Sequence, residues 1–91
     1  MAKLAPIHPG ILLQDELDER RVTQSAFAAH IKVSSAYLND ILKGRRGLSA
    51  LMAVKIGKAL GTGPELWLNL QSQYELNRIN QKDYNIKEIA T

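Results

Sequence analysis

One short stretch of the chain, residues 34–46, is rich in side chains that can bond to base edges or to phosphates. An asparagine amide can bridge an adenine, a serine hydroxyl can donate or accept, and an alanine methyl can contact the methyl group of thymine. An aspartate can accept from the amino group of cytosine, but it repels phosphates. The candidates for base contact lie on the outer face of one predicted helix: Ser34, Ser35, Ala36, Asn39 and Asp40. The alternative is a capped helix with a solvated polar face.

Basic side chains follow this face directly. Lys43, Arg45 and Arg46 are placed for phosphate contacts, or for insertion of an arginine into a narrow minor groove. The alternative is a solubilising loop. Gln24, in the first turn of the preceding helix, can face a phosphate, or it can be an ordinary exposed polar residue. Tyr37 can stack over a sugar–phosphate or cover the edge of the core.

The distribution of charge supports a polyanion as the partner. The chain has 91 residues and a net charge of +3. Residues 20–58 carry eight basic side chains against one acid, whereas residues 1–19 carry one base and four acids. Residues 59–91 carry three bases and four acids. A basic middle segment of this kind is typical of nucleic-acid binders, although a solvated basic surface gives the same composition.

The elements that must position these side chains are five predicted helices. Apolar residues recur at i, i+4 spacing, and strand signals are almost absent before the tail. The helices are expected from Pro9-Gly10, after Thr23, from Ala36 to about Lys43, from Ala50 to Leu60, and from Gly63-Pro64-Glu65. We expect Arg20-Arg21 to close the first helix and Pro64 to be the first residue of the fifth. The tail after residue 76 is compatible with an extension of the fifth helix, an edge strand at 84–89, or disorder.

The second and third helices form a helix-turn-helix at about residues 24–42. Two short helices separated by about three residues have the spacing of this motif. Ala28 keeps the first helix thin, Val33 can fill the corner, and Leu38 and Ile41 can anchor the second helix to the core. Its opposite face is then free to enter a major groove. We also expect a close backbone contact at Gly57, because a glycine within a helix costs about 1 kcal/mol relative to alanine.

Several classes of function are excluded. The chain has no cysteine, and its two histidines have no partner at a metal-ligand spacing, so we expect no metal and no cofactor. His8 is expected instead to cap or brace the first helix. No phosphate loop or nucleophile motif is present, so we expect no enzyme. No apolar run is long enough to span a membrane and none resembles a secretory signal, which favours a cytoplasmic protein.

Residues 24–41 resemble the helix-turn-helix of phage-repressor-like (Cro/C1, or XRE) regulators, and their flanks resemble the HigA family of antitoxins. The flanking motifs are His8-Pro9-Gly10, Gly44-Arg45-Arg46-Gly47, Ala59-Leu60-Gly61 and the segment from Pro64 to Gln71, with Trp67-Leu68-Asn69-Leu70-Gln71 the most specific. The resemblance covers about residues 6–76. The chain departs from the family pattern at Lys32, where glycine is usual, and at Ile11, Leu66, Leu51 and Met52.

The resemblance implies an all-α, five-helix, lambda-repressor-like DNA-binding domain. It also implies a homodimer that represses its own operon at a palindromic operator, and a partner toxin of the HigB type, a small basic RelE-like ribonuclease. We expect an arm at 1–7, the helix-turn-helix domain at 8–76 and a tail at 77–91. The alternatives are an orphan phage-type repressor without a toxin and a helical protein-interaction module that does not bind DNA.

Two further surfaces are predicted. The fifth helix has more apolar residues than one buried stripe requires, so we expect a dimer interface there, with Leu51 and Met52 as further candidates. The predicted interface residues are Leu66, Leu68, Gln71 and Tyr74. The acidic face of the first helix is either solvated or binds the basic toxin. Its residues are Asp15, Glu16, Asp18 and Glu19.

Overall fold

The computed structural model describes residues 6–90, so residues 1–5 of the expected N-terminal arm lie outside the described part of the chain. Within it, five α-helices follow one another: α1 Pro9–Glu19, α2 Gln24–Ile31, α3 Ser35–Leu42, α4 Ala50–Leu60 and α5 Glu65–Arg78. A short 3-10 helix follows at Gln81–Asp83, and residues 6–90 contain no strand. The prediction of an all-α, five-helix domain is confirmed. None of these helices is both long and apolar enough to cross a membrane.

Side-chain caps set where four of the helices begin. Thr23, Ser34 and Ser49 accept hydrogen bonds from backbone N–H groups three residues later, as Ser and Thr N-caps do. His8 caps α1 through its imidazole ring. The start of α5 differs from the prediction by one residue. Pro64 is the N-cap residue, and the helix begins at Glu65 without a side-chain cap.

The end of α1 also lies earlier than predicted. The helix ends at Glu19, Arg20 is the C-cap residue, and Arg21 adopts a left-handed conformation with φ of 57°. The Arg20 guanidinium donates to the carbonyl oxygen of Leu60 at 3.1 Å. Its charge therefore stabilises the C-terminus of α4, where helix carbonyls lack backbone partners.

The core runs through all five helices, with Leu13, Leu17, Leu38, Ile56 and Trp67 among its fully buried side chains. The Trp67 indole N–H donates to the Thr62 hydroxyl at 2.7 Å, so its one polar atom is satisfied. Met52 is 3% exposed and belongs to this core, so its suggested place on a dimer surface is wrong. The adjacent Leu51 is 65% exposed.

Two glycines permit close contacts between elements. A Cβ at Gly57 would collide with the carbonyl group of Gly63, which confirms the predicted close contact in α4. A Cβ at Gly10 would collide with the carbonyl oxygen of Ile41. The first turn of α1 is therefore packed directly against the last turn of α3.

Of the three alternatives for the tail after residue 76, extension of α5 is observed, but only over residues 77 and 78. α5 continues to Arg78, the 3-10 helix follows, and all described residues from 77 onward are exposed. The edge strand considered for residues 84–89 is not formed.

Candidate nucleic-acid interface

The turn between α2 and α3 is closed by backbone geometry. Lys32 adopts a left-handed conformation with φ of 62°, and the Val33 N–H donates to the carbonyl oxygen of Ala28 at 3.0 Å. Val33 is half-buried against the core, as expected for the corner residue. A lysine thus occupies a backbone position that favours glycine, at a cost on the order of 1 kcal/mol.

Gln24 connects the two helices of the motif. Its amide nitrogen donates to the carbonyl oxygen of Ser35 at 3.1 Å and approaches the Ser35 hydroxyl at 3.3 Å. The first turn of α2 is therefore tied to the first turn of α3. The side-chain oxygen and the free N–H groups of this turn can still face a phosphate.

One face of α3 is free for an external partner. Ser35, Ala36 and Lys43 are exposed and Asn39 is half-exposed, whereas Leu38 and Ile41 on the opposite face are fully buried. Positions 35, 39 and 43 are four residues apart and lie along one side of the helix. Ser34 is also exposed, although its hydroxyl caps the helix. The free row therefore presents hydroxyl, methyl, amide and ammonium groups, which suits base edges and phosphates.

Asp40 holds the loop after α3. Its carboxylate accepts from the Arg45 guanidinium at 3.1 Å, and its carbonyl oxygen accepts from the backbone N–H groups of Arg45 and Arg46 at 2.8 and 3.2 Å. The pair is exposed, so it adds little stability. Its effect is geometric, because it fixes Arg45 beside the exposed face of α3. These contacts favour a structural role for Asp40 over contact with a cytosine.

Two further contacts fix Arg46. Its guanidinium carbon lies 4.8 Å from the ring centre of Tyr37, a cation–π arrangement. Its carbonyl oxygen lies 3.1 Å from Nε2 of His8, 38 residues earlier in the chain. Tyr37 itself is half-buried against the core. It therefore covers the core edge while it supports a basic side chain beside α3.

Lys55 was not identified from the sequence, and Leu51 was predicted only for a dimer surface. They line a cavity of about 290 Å³ with Val33, Ser34 and Tyr37, beside the start of α3. The Lys55 ammonium donates to the carbonyl oxygen of Lys32 at 3.4 Å. No sequence signal predicts this contact, because it joins residues 23 positions apart on different elements. Lys55 adds a positive charge beside α3.

The predicted dimer residues do not form one exposed set. Leu66 is 41% exposed, while Leu68 and Tyr74 are half-buried. Gln71 is only 7% exposed; its side-chain oxygen accepts from the Leu48 N–H at 2.8 Å and its nitrogen donates to Glu75 at 2.9 Å. The assignment of Gln71 to a dimer surface is corrected accordingly, because the amide serves a buried backbone group of its own chain.

The acidic residues of α1 remain a predicted surface. Asp15, Asp18 and Glu19 are exposed, and Glu16 forms an ion pair with Arg20 at 3.3 Å. This pair neutralises part of the negative charge at the C-terminal end of the face. Three carboxylates that form no ion pair within residues 6–90 stay available to a basic partner.

The described residues contain no group of three side chains that could hold a metal ion. The pKa of His8 is lowered by its surroundings. Burial lowers its pKa below 6.5, and the positive charge of Arg78 lowers it further, against the raising effect of the bond to Arg46. His8 is therefore neutral at pH 7.

Comparison with known proteins gives the same architecture. A family model described as helix-turn-helix, HTH_3, matches residues 13–67. Virulence-associated protein A′ of Dichelobacter nodosus is 38% identical over 78 residues, covering 85% of this chain and 68% of that protein. Pseudomonas aeruginosa antitoxin HigA, solved with the higBA promoter, is 38% identical with a TM-score of 0.82, covering 93% of this chain and 99% of that one. A HigA-family addiction module antidote protein from Coxiella burnetii is 30% identical with a TM-score of 0.83, covering 94% and 100%.

Proposed function

The chain belongs to the HTH_3 helix-turn-helix family and is a HigA-like regulator, not an enzyme; from that premise we propose that it is an antitoxin and autorepressor. As a homodimer it binds a palindromic operator of its own operon. It also neutralises a cognate RelE-like ribonuclease toxin of the HigB type. We place both activities in the cytoplasm.

The DNA-binding part of the proposal rests on the free face of α3 and on the adjacent loop. This loop follows α3, contains Arg45 and Arg46, and is called the arginine loop below. Ser35, Ala36 and Asn39 offer hydrogen bonds and a methyl contact to base edges in the major groove. Arg45 and Arg46 are held next to this face by Asp40 and Tyr37, where they meet the phosphates of the flanking backbone. The similarity to antitoxin HigA, which was solved with the higBA promoter, supports DNA binding by this chain.

A dimer supplies the affinity that one small domain lacks. Two copies of α3 about 34 Å apart would enter successive major grooves of a palindrome. We place the dimer contact on α5, at Leu66 and the exposed edges of Leu68 and Tyr74, with the acidic face of α1 directed outward.

Fluorescence anisotropy tests the DNA-binding half. A labelled duplex from the region upstream of the gene should bind at least tenfold more tightly than a scrambled duplex of equal length and composition. Equal affinity for the two would contradict operator recognition. Absence of binding to either would leave only the alternative of a protein-interaction module.

The antitoxin half rests on charge complementarity. Asp15, Asp18 and Glu19 form an exposed acidic face on α1, suited to a basic ribonuclease. Co-expression with the product of the neighbouring reading frame should give a complex that co-purifies and lacks ribonuclease activity. Operator binding without such a complex would identify an orphan repressor. Reversal of the three charges to lysine should release the toxin and leave the fold intact.

A further inference from the structure

His8 is a buried histidine with both ring nitrogens engaged. It is 5% exposed, and its Nδ1 accepts from the Gly10 N–H at 2.9 Å. Because Nδ1 accepts a hydrogen bond, the proton of the neutral ring lies on Nε2. Nε2 therefore donates to the carbonyl oxygen of Arg46 at 3.1 Å. One side chain thus caps α1 and holds the loop that follows α3.

The ring is clamped in this position from two further sides. Tyr74 of α5 meets it edge to face, with ring centres 4.9 Å apart. Gly44, in the loop, lies so close that a Cβ there would be 3.8 Å from the imidazole. The contact of Gly10 with Ile41 fixes α1 against the end of α3. His8 therefore cannot move away from the loop without moving α1 or α5.

The other contacts of the loop come from α3, where the carbonyl oxygen of Asp40 accepts from the N–H groups of Arg45 and Arg46 and that of Ile41 accepts from the N–H of Gly44. The guanidinium groups of the loop are held by Asp40 and Tyr37 on the side facing α3. His8 supplies a side-chain contact to its backbone from the opposite side. The position of Arg46 is thus set from the reading side by Tyr37 and from the core side by His8.

We propose that His8 is a positioning residue for DNA binding, which through the Arg46 carbonyl fixes the loop that presents Arg45 and Arg46 to the DNA backbone. This inference rests on the proposed operator binding. It gives His8, the N-cap residue of α1, an indirect effect on phosphate contacts that other residues make.

The charge state of the ring matters for this role. A second proton on Nδ1 would remove the acceptor of the Gly10 N–H and put a positive charge beside the arginine loop. The titratable and charged groups around the ring are Arg45 from the loop and Tyr74, Glu75 and Arg78 from α5. The positive charge of Arg78 lowers the pKa of His8 and so favours the neutral ring.

The test uses His8→Asn, because asparagine is a good N-cap and can retain the bond to Gly10, but is too short to reach Arg46. We expect affinity for both operator and scrambled DNA to fall about fivefold, the worth of one hydrogen bond. The dependence of affinity on salt should become shallower, because the loop contacts phosphates less well.

A double-mutant cycle separates positioning from damage to the fold. In the Arg45→Ala/Arg46→Ala background, His8→Asn should cause no further loss of affinity. A full fivefold loss in that background, or no loss in the wild-type background, would overturn the inference. A wild-type chain that binds no DNA would instead overturn the proposed function, so the two failures are distinguishable.

The wild-type protein provides a second measurement if His8→Asn does not fold. Nitrogen chemical shifts of the His8 ring at pH 7 should show a protonated Nε2 and an unprotonated Nδ1. The pH measurement uses a His30→Asn variant, in which His8 is the remaining histidine. Lowering the pH until His8 protonates should weaken DNA binding by this variant. The weakening should be smaller in a second variant that also lacks the arginine side chains at 45 and 46. The opposite tautomer, or an equal weakening in both proteins, would refute the role.

Discussion

Removal of the two loop arginines should change the salt dependence of DNA binding by an amount that can be calculated. Arg45→Ala/Arg46→Ala removes two phosphate contacts from each chain. At about 0.9 per contact, the slope of log K against log salt should fall by about 1.8 per chain, and by twice that in a dimer. Between 50 and 200 mM salt this corresponds to roughly a tenfold smaller loss of affinity per chain.

The fold should tolerate this change. Arg45 and Asp40 form an ion pair with side-chain exposures of 58% and 39%, and pairs so exposed contribute at most about 1 kcal/mol. Arg46 is exposed, so truncating it to alanine takes the guanidinium from the Tyr37 ring but removes no buried side chain. Urea denaturation should therefore give nearly the same free energy of unfolding.

The matched control is Lys82→Ala/Lys87→Ala. It removes the same charge from exposed positions of the tail, outside the helix-turn-helix. Anisotropy titrations at four salt concentrations should give the wild-type slope for this control and the reduced slope for the loop variant. Equal slopes for the two variants would show that net charge, and not the placement of the arginines, sets the salt dependence.

Four further outcomes are expected. Ser35→Ala or Asn39→Ala should cost roughly 1–3 kcal/mol on the operator and little on scrambled DNA, as measured by anisotropy; equal losses would show that α3 reads no bases. Leu66→Glu should give a folded monomer in sedimentation, because a charge would be buried in the proposed dimer contact; a persistent dimer would place that contact elsewhere. Gly57→Ala should lower the Tm, because overpacking costs about 1–3 kcal/mol and the helix gains only about 1; a higher Tm would contradict the close contact. Burial lowers the pKa of His8 below 6.5, so the unfolded chain takes up the proton first as the pH falls. In urea titrations the free energy of unfolding should therefore be steady above about pH 7 and fall below it. The His8→Asn variant should lack the part of this fall that is due to His8.

Local sequence signals were sufficient for the helices and for the motif. Thr23, Ser34 and Ser49 are caps that act on N–H groups three residues away, so their effect is visible in the sequence alone. The spacing of α2 and α3 is equally local. Lys32 shows the limit of such signals. Its left-handed conformation could not be predicted from the residue type, because that conformation favours glycine.

The contacts that organise the candidate site join distant parts of the chain. Gln71 was placed on a surface because α5 is apolar on several sides, yet it bonds to the backbone of Leu48, 23 residues away. His8 was expected to brace α1, but its bond to Arg46 spans 38 residues. No periodicity encodes either contact, because each depends on how helices pack once they have formed.

The division of tasks along α3 has a consequence for how such modules diverge. Ser35, Ala36 and Asn39 project away from the core, while Leu38, Ile41 and Leu42 hold the helix in place. Under the proposed operator recognition, substitutions in the first group alter the preferred operator with little cost in folding. Duplicated copies within one genome could thus acquire separate operators in a few steps and avoid cross-regulation, while His8, Gln24 and the core remain under constraint.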